Sequence, residues 1–374
     1  MELRFTKEQQ ELQHAIRQFA AAEIASAVPM MESEERFPVD LIRRMAERQW
    51  MGIPIPKLWG GAGKDFISYI IAINEVSKVS AAVGVILSVH SSVCTLPILN
   101  YGSDQQRQQF VRKLASGEWI GAFALTEPHA GSDAAAIRTS AARKGEDYEL
   151  NGSKLFITNA GAAGVYLLFA VTDAAKRAGG ISAFIVPGDT EGLHIGKPER
   201  KMGLHGSNTC ELHFEQLRIP AEYRLGREGE GFAIAKGSLD GGRIGIAAQA
   251  LGIAEAAMLL LRKRLQLPKG KLLTHRHAEL AELMARTEAA RLLVYRAASL
   301  RQDGRPCTKE ASMAKMFASD TAVAVTGAAV RLLGAEGLSR DHPAERLFRD
   351  AKVTQIYEGT NEIHRIVISG RLMK

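Results

Sequence analysis

Two stretches of the chain concentrate residues that could do chemistry. Phe123-Ala124-Leu125-Thr126-Glu127-Pro128-His129-Ala130-Gly131-Ser132-Asp133 mixes glycine, small hydroxyls and backbone donors in one loop between strands. That set suits anions and the polar edge of a ring. Ile356-Tyr357-Glu358-Gly359-Thr360-Asn361-Glu362-Ile363-His364-Arg365 places a carboxylate beside a glycine in an apolar run. Such a carboxylate could be a general base with backbone room for a ligand. Taken singly, the first reads more simply as a polar loop and Glu358 as the start of a helix.

Other signatures are missing. The sequence holds no GxGxxG, no GxxxxGK[ST] and no HExxH, so a Rossmann nicotinamide site is unsupported. Its histidines show no metal-ligand spacing with acidic partners, and no metal is expected. His275 and His277 are close, but alternate residues on a helix do not share a face.

The elements that must position these stretches fall into three parts. Thr6 and Gln9 fit a capping box, followed by Leu12, Ile16 and Phe19 on one face. Pro38 opens a second helix carrying Leu41, Ile42 and Met45. The Pro54–Gly63 stretch breaks the pattern, and helical spacing resumes near Tyr69. From Gly121 to about Arg224 the chain reads as strands. Asn151-Gly152, between Tyr148-Glu-Leu and Lys154-Leu-Phe-Ile, predicts a hairpin turn. Ile181–Val186 and Thr209–Phe214 are further strands, and the Gly226–Gly231 turn closes this part. Helices then resume: Ile244–Leu261, rich in Ala and Gly; a stripe of Leu280, Leu283, Met284 and Thr287; Lys309–Leu333; and one at the C-terminus. The expected parts are residues 1–119 (α-helical), 120–226 (β) and 227–374 (helical bundle).

The 374 residues carry 48 Lys and Arg against 41 Asp and Glu, a net charge of +7. A positive balance suits a nucleotide cofactor, a coenzyme A tail or an acidic protein. The one basic cluster is Arg262, Lys263, Arg264, Lys269 and Lys271. There is no long basic extension, so a nucleic-acid partner is not expected. Cys94, Cys210 and Cys307 fit neither a zinc site nor CxxC, which favours free thiols in a reducing compartment, the cytoplasm. The N-terminus has no apolar stretch of the signal-peptide kind. Val79–Ser103 carries no Asp, Glu, Lys or Arg and is long enough to span a bilayer. Its serines, His90, Pro97 and Asn100, and the absence of a second such segment, favour a buried helix and a turn.

Together the two motifs carry a resemblance. The chain resembles the acyl-CoA dehydrogenase family, most closely its short-chain (butyryl-CoA) branch, nearly end to end. The resemblance rests on Leu58-Trp-Gly-Gly-Ala-Gly63, Thr126-Glu-Pro…Gly-Ser-Asp133, Phe156-Ile-Thr-Asn-Ala160, Leu239-Asp-Gly-Gly-Arg-Ile-Gly-Ile246 and Arg349-Asp-Ala-Lys…Ile-Tyr-Glu-Gly-Thr360. It implies a mostly α, α+β fold: an N-terminal helical domain, a central β-barrel-like domain and a C-terminal four-helix bundle. It also implies a homotetramer, bound FAD, an acyl-CoA substrate, electron-transfer flavoprotein as acceptor, and a place in fatty acid β-oxidation.

By the same resemblance Glu358 matches the base that removes the α-proton while a hydride leaves Cβ for flavin N5, giving a trans-2-enoyl thioester. Burial beside the ligand would raise its pKa into a useful range. Phe123, Ala124, Leu125, Thr126 and Ser132 match the loop on the flavin and its phosphates. Phe156, Ile157 and Thr158 match the segment along the isoalloxazine, with Phe156 in place of the usual Trp. Thr360, Asn361 and Glu362 match a second flavin contact. Ser132, Asp240, Arg243 and Gly359 match acyl-CoA contacts, although Asp240 and Arg243 also read as a helix-start ion pair. Some branches, the isovaleryl one among them, carry the base at the position of Gly242. Its lack of a carboxylate supports Glu358 as the sole base.

Several positions depart from the family pattern. The adenosine-side Arg, Phe and Gln fall near Gln266, Lys269 and His277, and a third element reads Arg331-Leu-Leu-Gly334-Ala335. His129 replaces a glycine. These changes imply that FAD is held differently or more weakly, or that the tetramer is arranged differently, with Lys and Arg available to the pyrophosphate. Two other functions stay open: dehydrogenation of an acyl group tethered to a carrier protein, and a non-catalytic relative on the same fold.

Overall fold

The computed structural model describes residues 4–265 and 275–373. Helix α1 (Lys7–Phe19) opens on a capping box in which the Thr6 hydroxyl accepts from the Gln9 N–H and the Gln9 side chain accepts from the Thr6 N–H. Its stripe of Leu12, Ile16 and Phe19 is buried. The helix runs on through one wider turn, Ala20–Ile24, into α2 (Ala25–Glu34), past Pro29. Pro38 caps α3 (Val39–Glu47), whose Leu41, Ile42 and Met45 face the core. The Pro- and Gly-rich break forms short 3-10 turns. Next come α4 (Phe66–Ser77), α5 (Ala81–Ser88), α6 (Leu96–Tyr101), α7 (Asp104–Gln106) and α8 (Arg112–Ser116).

The uncharged segment is one buried helical run, Ala81–Tyr101, with wide turns at Val89–Thr95. It is not alone in length and apolarity. Gly231–Arg264 and Thr308–Leu333 also meet the length and composition of a membrane span. All three are central helices here. Helices buried on every side lose the amphipathic pattern.

The middle of the chain folds as β1 (Gly121–Ala124), β2 (Ser140–Lys144), β3 (Asp147–Thr158), β4 (Val165–Val171), β5 (Ile181–Pro187), β6 (Leu193–Pro198), β7 (Thr209–Pro220) and β8 (Arg224–Leu225). They form one sheet in the order β6-β7-β3-β2-β4-β5-β8, with β1 parallel to β4. Alternation along β4 splits two cores. Val165, Leu167 and Phe169 face the helices. Tyr166, Leu168 and Ala170 join Tyr148, Phe184 and Leu212 on the other face.

The expected hairpin at Asn151-Gly152 is not there. Both residues lie inside β3, and the turn comes earlier, at Gly145 and Glu146 between β2 and β3. Asn-Gly marks a register shift against β7 instead. Gly152 sits at φ 143, and a Cβ there would come 2.8 Å from Thr139. The Asn151 side-chain Oδ1 accepts from the Gln216 N–H at 2.8 Å. Glycine in a strand interior commonly marks such a bulge.

The last part holds α9 (Gly231–Arg264), α10 (His275–Gln302), α11 (Thr308–Leu333), α12 (Ala335–Leu338), α13 (Pro343–Val353) and α14 (Asn361–Leu372). The C-terminal region thus has two longer helices, α13 and α14, where one was expected. Helices α9, α10, α11 and α13 form the bundle, and α14 folds back on α11. The small residues of α9 let it close on α4: a Cβ at Gly252 would meet the Asn74 carbonyl oxygen at 2.6 Å. On α10, Leu283 and Thr287 are buried but Met284 is exposed. Cys94, Cys210 and Cys307 are buried free thiols.

Candidate functional site

The two motifs meet in one cleft. It has a volume of about 190 Å³ and lies between the β1–β2 loop, the end of β3, helices α5 and α9, and the turn joining α13 to α14. Phe123, Leu125, Thr126, Ser132, Phe156, Ile157, Thr158, Arg243, Glu358 and Gly359 all line it.

The loop is tied to β3 from inside. The Lys154 ammonium, fully buried, donates to the Leu125 carbonyl at 3.0 Å and to Glu127 Oε1 at 2.8 Å. Glu127 also accepts from the Thr139 hydroxyl at 2.6 Å and from the N–H groups of Arg138 and Thr139 at 2.7 and 2.9 Å. Burial pushes the Glu127 carboxyl up, but Lys154 and these donors outweigh it and leave it below its usual range. Burial pushes Lys154 down to about 8 against the pull of Glu127. A further bond, Leu155 N–H to the Thr126 carbonyl at 2.8 Å, completes the tie. These bonds tie residues 125–127 to Lys154 and Leu155.

Phe156 stands at φ 57 and is 59% exposed. A left-handed backbone is unusual for an aromatic residue. It coincides with the second register shift between β3 and β7, between Lys154 and Ile157. Bulges of this kind re-aim side chains next to active sites.

Glu358 stands at φ 54 and Gly359 at φ 94, so two consecutive residues are left-handed. The turn swings the carboxylate onto α9. A Cβ on Gly242 would lie 2.6 Å from Glu358 Oε2. That oxygen is buried and has no hydrogen-bond partner. Burial pushes the carboxyl up to about 7, against Arg243 and Lys315, which pull it down. Tyr357, next in the chain, donates its hydroxyl to Gln249 on α9.

The remaining expected residues lie around this centre. Ala124 alternates away from the cleft into the sheet's own core. Thr360 caps α14, its hydroxyl accepting from Ile363 N–H at 3.4 Å. Asn361 is buried and bonded to α11, and Glu362 pairs with Arg365 at 3.5 Å on the surface. Asp240 pairs with Arg243 at 3.3 Å but also accepts from the Thr308 hydroxyl at 2.6 Å. It lines a second cavity of about 660 Å³ beside Arg301. Both residues lie inside α9, beyond its first turn. Arg331 pairs with Glu279, and Gly334 ends α11 at φ 65. Arg331 lies 16 residues beyond Lys315, about 24 Å along the helix. His277 is within 3.2 Å of the Leu265 carbonyl, whereas Gln266, Lys269 and Lys271 lie outside the described residues.

Val85, Val89 and Val93 form an apolar wall of the cleft, continued by Leu239, Ile246 and Ile363. The valines recur every fourth residue and so share one helix face, but in a run buried on all sides that spacing does not mark a pocket. Lys315, buried beneath Glu358, is a polar residue on an apolar helix face.

Acyl-CoA dehydrogenase family models match the chain in three pieces: the N-terminal domain over residues 6–118, the middle domain over 122–217 and the C-terminal domain over 229–373. The chain belongs to the acyl-CoA dehydrogenase family. It is 53% identical to an acyl-CoA dehydrogenase of Bacillus subtilis, over 98% of each chain. It is 46% identical to the short-chain specific acyl-CoA dehydrogenase of Clostridium acetobutylicum, over 100% of each. The structure of butyryl-CoA dehydrogenase from Megasphaera elsdenii superposes with a TM-score of 0.97 at 42% identity, covering 100% of each chain. The family's enzymes are oxidoreductases that use FAD, and the cleft fits that cofactor. Its rim offers the hydroxyls of Thr126, Ser132 and Thr158 and an outward-facing aromatic ring at Phe156. A Cβ at Gly131 would meet nothing within 4 Å. Glu358, with Oε2 buried and unpartnered, lines the same cleft.

Proposed function

We propose that the chain dehydrogenates short acyl-CoA thioesters between Cα and Cβ, with Glu358 as the base. The observation that carries this reading is the Glu358 carboxylate, buried and unpartnered at Oε2 on the wall of the cleft. Its pKa near 7 suits a base that must be ionised at neutral pH and able to hold a proton. The apolar wall of Val85, Val89 and Val93 suits an acyl chain, and the short-chain specific and butyryl-CoA relatives favour a short one.

In this reading the Glu358 backbone N–H donates to the thioester carbonyl, stabilising enolate character as an oxyanion hole does. The Glu358 carboxylate takes the α-proton and becomes the acid. When bound, FAD supplies the acceptor for the hydride that leaves Cβ. The product is the trans-2-enoyl thioester. Arg243 holds the carboxylate ionised until the transfer.

Thr126, Ser132, Phe156, Ile157 and Thr158, with the backbone of Phe123–Leu125, hold the flavin. The start of α14 at Thr360, Asn361 and Glu362 adds a second contact. Ser132, Asp240, Arg243 and Gly359 meet the acyl-CoA. Arg331 and Gly334 serve the adenosine of a neighbouring subunit's FAD in a homotetramer. Electrons pass to an electron-transfer flavoprotein, and the enzyme works in the cytoplasm in fatty acid β-oxidation. The chain divides at 1–119, 120–226 and 227–374. The test is a visible spectrum of the purified protein and anaerobic addition of butyryl-CoA and longer acyl-CoAs. Yellow protein bleached fastest by the four-carbon substrate supports the reading. Yellow protein that no acyl-CoA bleaches overturns it.

A further inference from the structure

Strained turns persist only where their surroundings over-determine them. The Glu358–Gly359 turn is held largely from one side, by α11. Lys315, fully buried, donates from Nζ to the Gly359 carbonyl at 2.6 Å and to Asn361 Oδ1 at 3.1 Å. Asn361 Nδ2 then donates to Ser319 Oγ at 2.9 Å and to Asp320 Oδ1 at 2.8 Å. Gln355 Nε2, ahead of the turn, donates to the same Asp320 oxygen at 2.6 Å. Residues 315, 319 and 320 of one helix therefore grip both ends of the segment that presents Glu358.

None of Lys315's hydrogen bonds goes to a carboxylate. A neutral donor could supply both. Burying an ammonium without a bonded counter-ion is expensive: burial pushes Lys315 down to about 7, and Glu358 is the first carboxylate pulling it back up, so the charge it keeps calls for a reason. We propose that Lys315 is a positioning residue that locks the Glu358–Gly359 turn and, as a cation, keeps the Glu358 carboxylate ionised. This rests on the reading of Glu358 as the base.

The other charged groups around the pair are Arg243 on α9, Asp320 on α11, and Glu362 and His364 on α14, with Tyr69 on α4 facing Glu358. Arg243 supports ionisation from the opposite side. His364 is buried, with neither ring nitrogen hydrogen-bonded. Burial, Lys315 and Arg243 hold its pKa down to about 3, so it stays neutral and adds no charge of its own at working pH. Removing the Lys315 charge thus leaves Arg243 as the one cation close to Glu358 among the described residues.

The experiment compares Lys315→Met, Lys315→Gln, Lys315→Arg and Glu358→Gln as flavin-loaded enzymes, by the pH dependence of kcat/KM with butyryl-CoA. Lys315→Met is expected to lower kcat at least about tenfold and to move the acidic limb to higher pH, because the carboxyl then loses a favourable charge. Lys315→Gln keeps a donor without the charge. It should move the limb likewise with a smaller fall in kcat, and it serves if Lys315→Met does not fold. Lys315→Arg should leave the limb in place. A merely structural role would lower stability or flavin content without moving the limb. If both neutral variants keep the wild-type limb while Glu358→Gln is inactive, the inference about Lys315 is wrong and the base stands. If Glu358→Gln is active, the base reading fails and Lys315 loses its role with it.

Discussion

The carboxylate of Glu358 rests on the bare Cα of Gly242. A Cβ at that position would come within 2.6–2.7 Å of all three carboxyl-group atoms. Where a branch of the family would place a carboxylate on α9, this chain leaves the space that Glu358, the proposed base, occupies from the α13–α14 turn. The two positions are therefore mutually exclusive.

Gly242→Ala follows as a first prediction. The added methyl must displace the carboxylate, because Gly242 is itself buried in a packed helix. Overpacking of this kind costs about 1–3 kcal/mol, and displacing the carboxylate at that cost should lower kcat/KM about 5- to 150-fold. Flavin content should stay near normal. Steady-state kinetics beside an absorbance ratio of flavin to protein checks both. Full activity would mean that the carboxylate does not work from where it lies.

The pH profile is the second. Glu358 must be ionised to accept a proton, and its pKa is raised to about 7. Below that value the base is progressively neutralised, so kcat/KM should fall about tenfold per pH unit on the acid side. An ordinary exposed carboxylate would put the limb near 4 to 5. A limb in that lower range in the free enzyme would contradict the buried, unpartnered state of the group.

The third prediction concerns the flavin loop. Glu127→Gln or Lys154→Met leaves the other charge buried without its partner, a change worth about 3–5 kcal/mol. Each single variant should melt lower and release flavin more readily, since the pair ties residues 125–127 to β3. The double variant should lose less than the two singles added together. Thermal melts and flavin retention on gel filtration read this out. Strict additivity would show that the two groups act independently.

The family's fold and the two motifs that line the cleft were legible in the sequence. Short motifs survive as motifs because their backbone geometry allows few residues, as at Glu358-Gly359. What misled was local chemistry overruled by tertiary pairing. Asn151-Gly152 is a good hairpin turn in isolation, yet β3 continues through it because β7 is long enough to pair on both sides of a bulge. Val85, Val89 and Val93 carried a four-residue period, but a run buried on all faces gives no cue to which face meets a ligand. Lys315 was hidden for a related reason. Its helix reads only as a helix over Lys309–Leu333, and the fold alone reveals that the lysine is buried under the turn that carries Glu358, 43 residues later.

The most direct test of the account is anaerobic mixing of butyryl-CoA with wild type and with Glu358→Gln, both yellow and flavin-loaded, followed at the flavin absorbance. The account predicts that wild type bleaches within the mixing experiment. The Gln variant should stay yellow, slowed by at least about a hundredfold, since a positioned base contributes about 10²–10⁴ and nothing else among the described residues lining the cleft offers a carboxylate. A Gln variant that bleaches at a rate near that of wild type would contradict the assignment of Glu358 as the base.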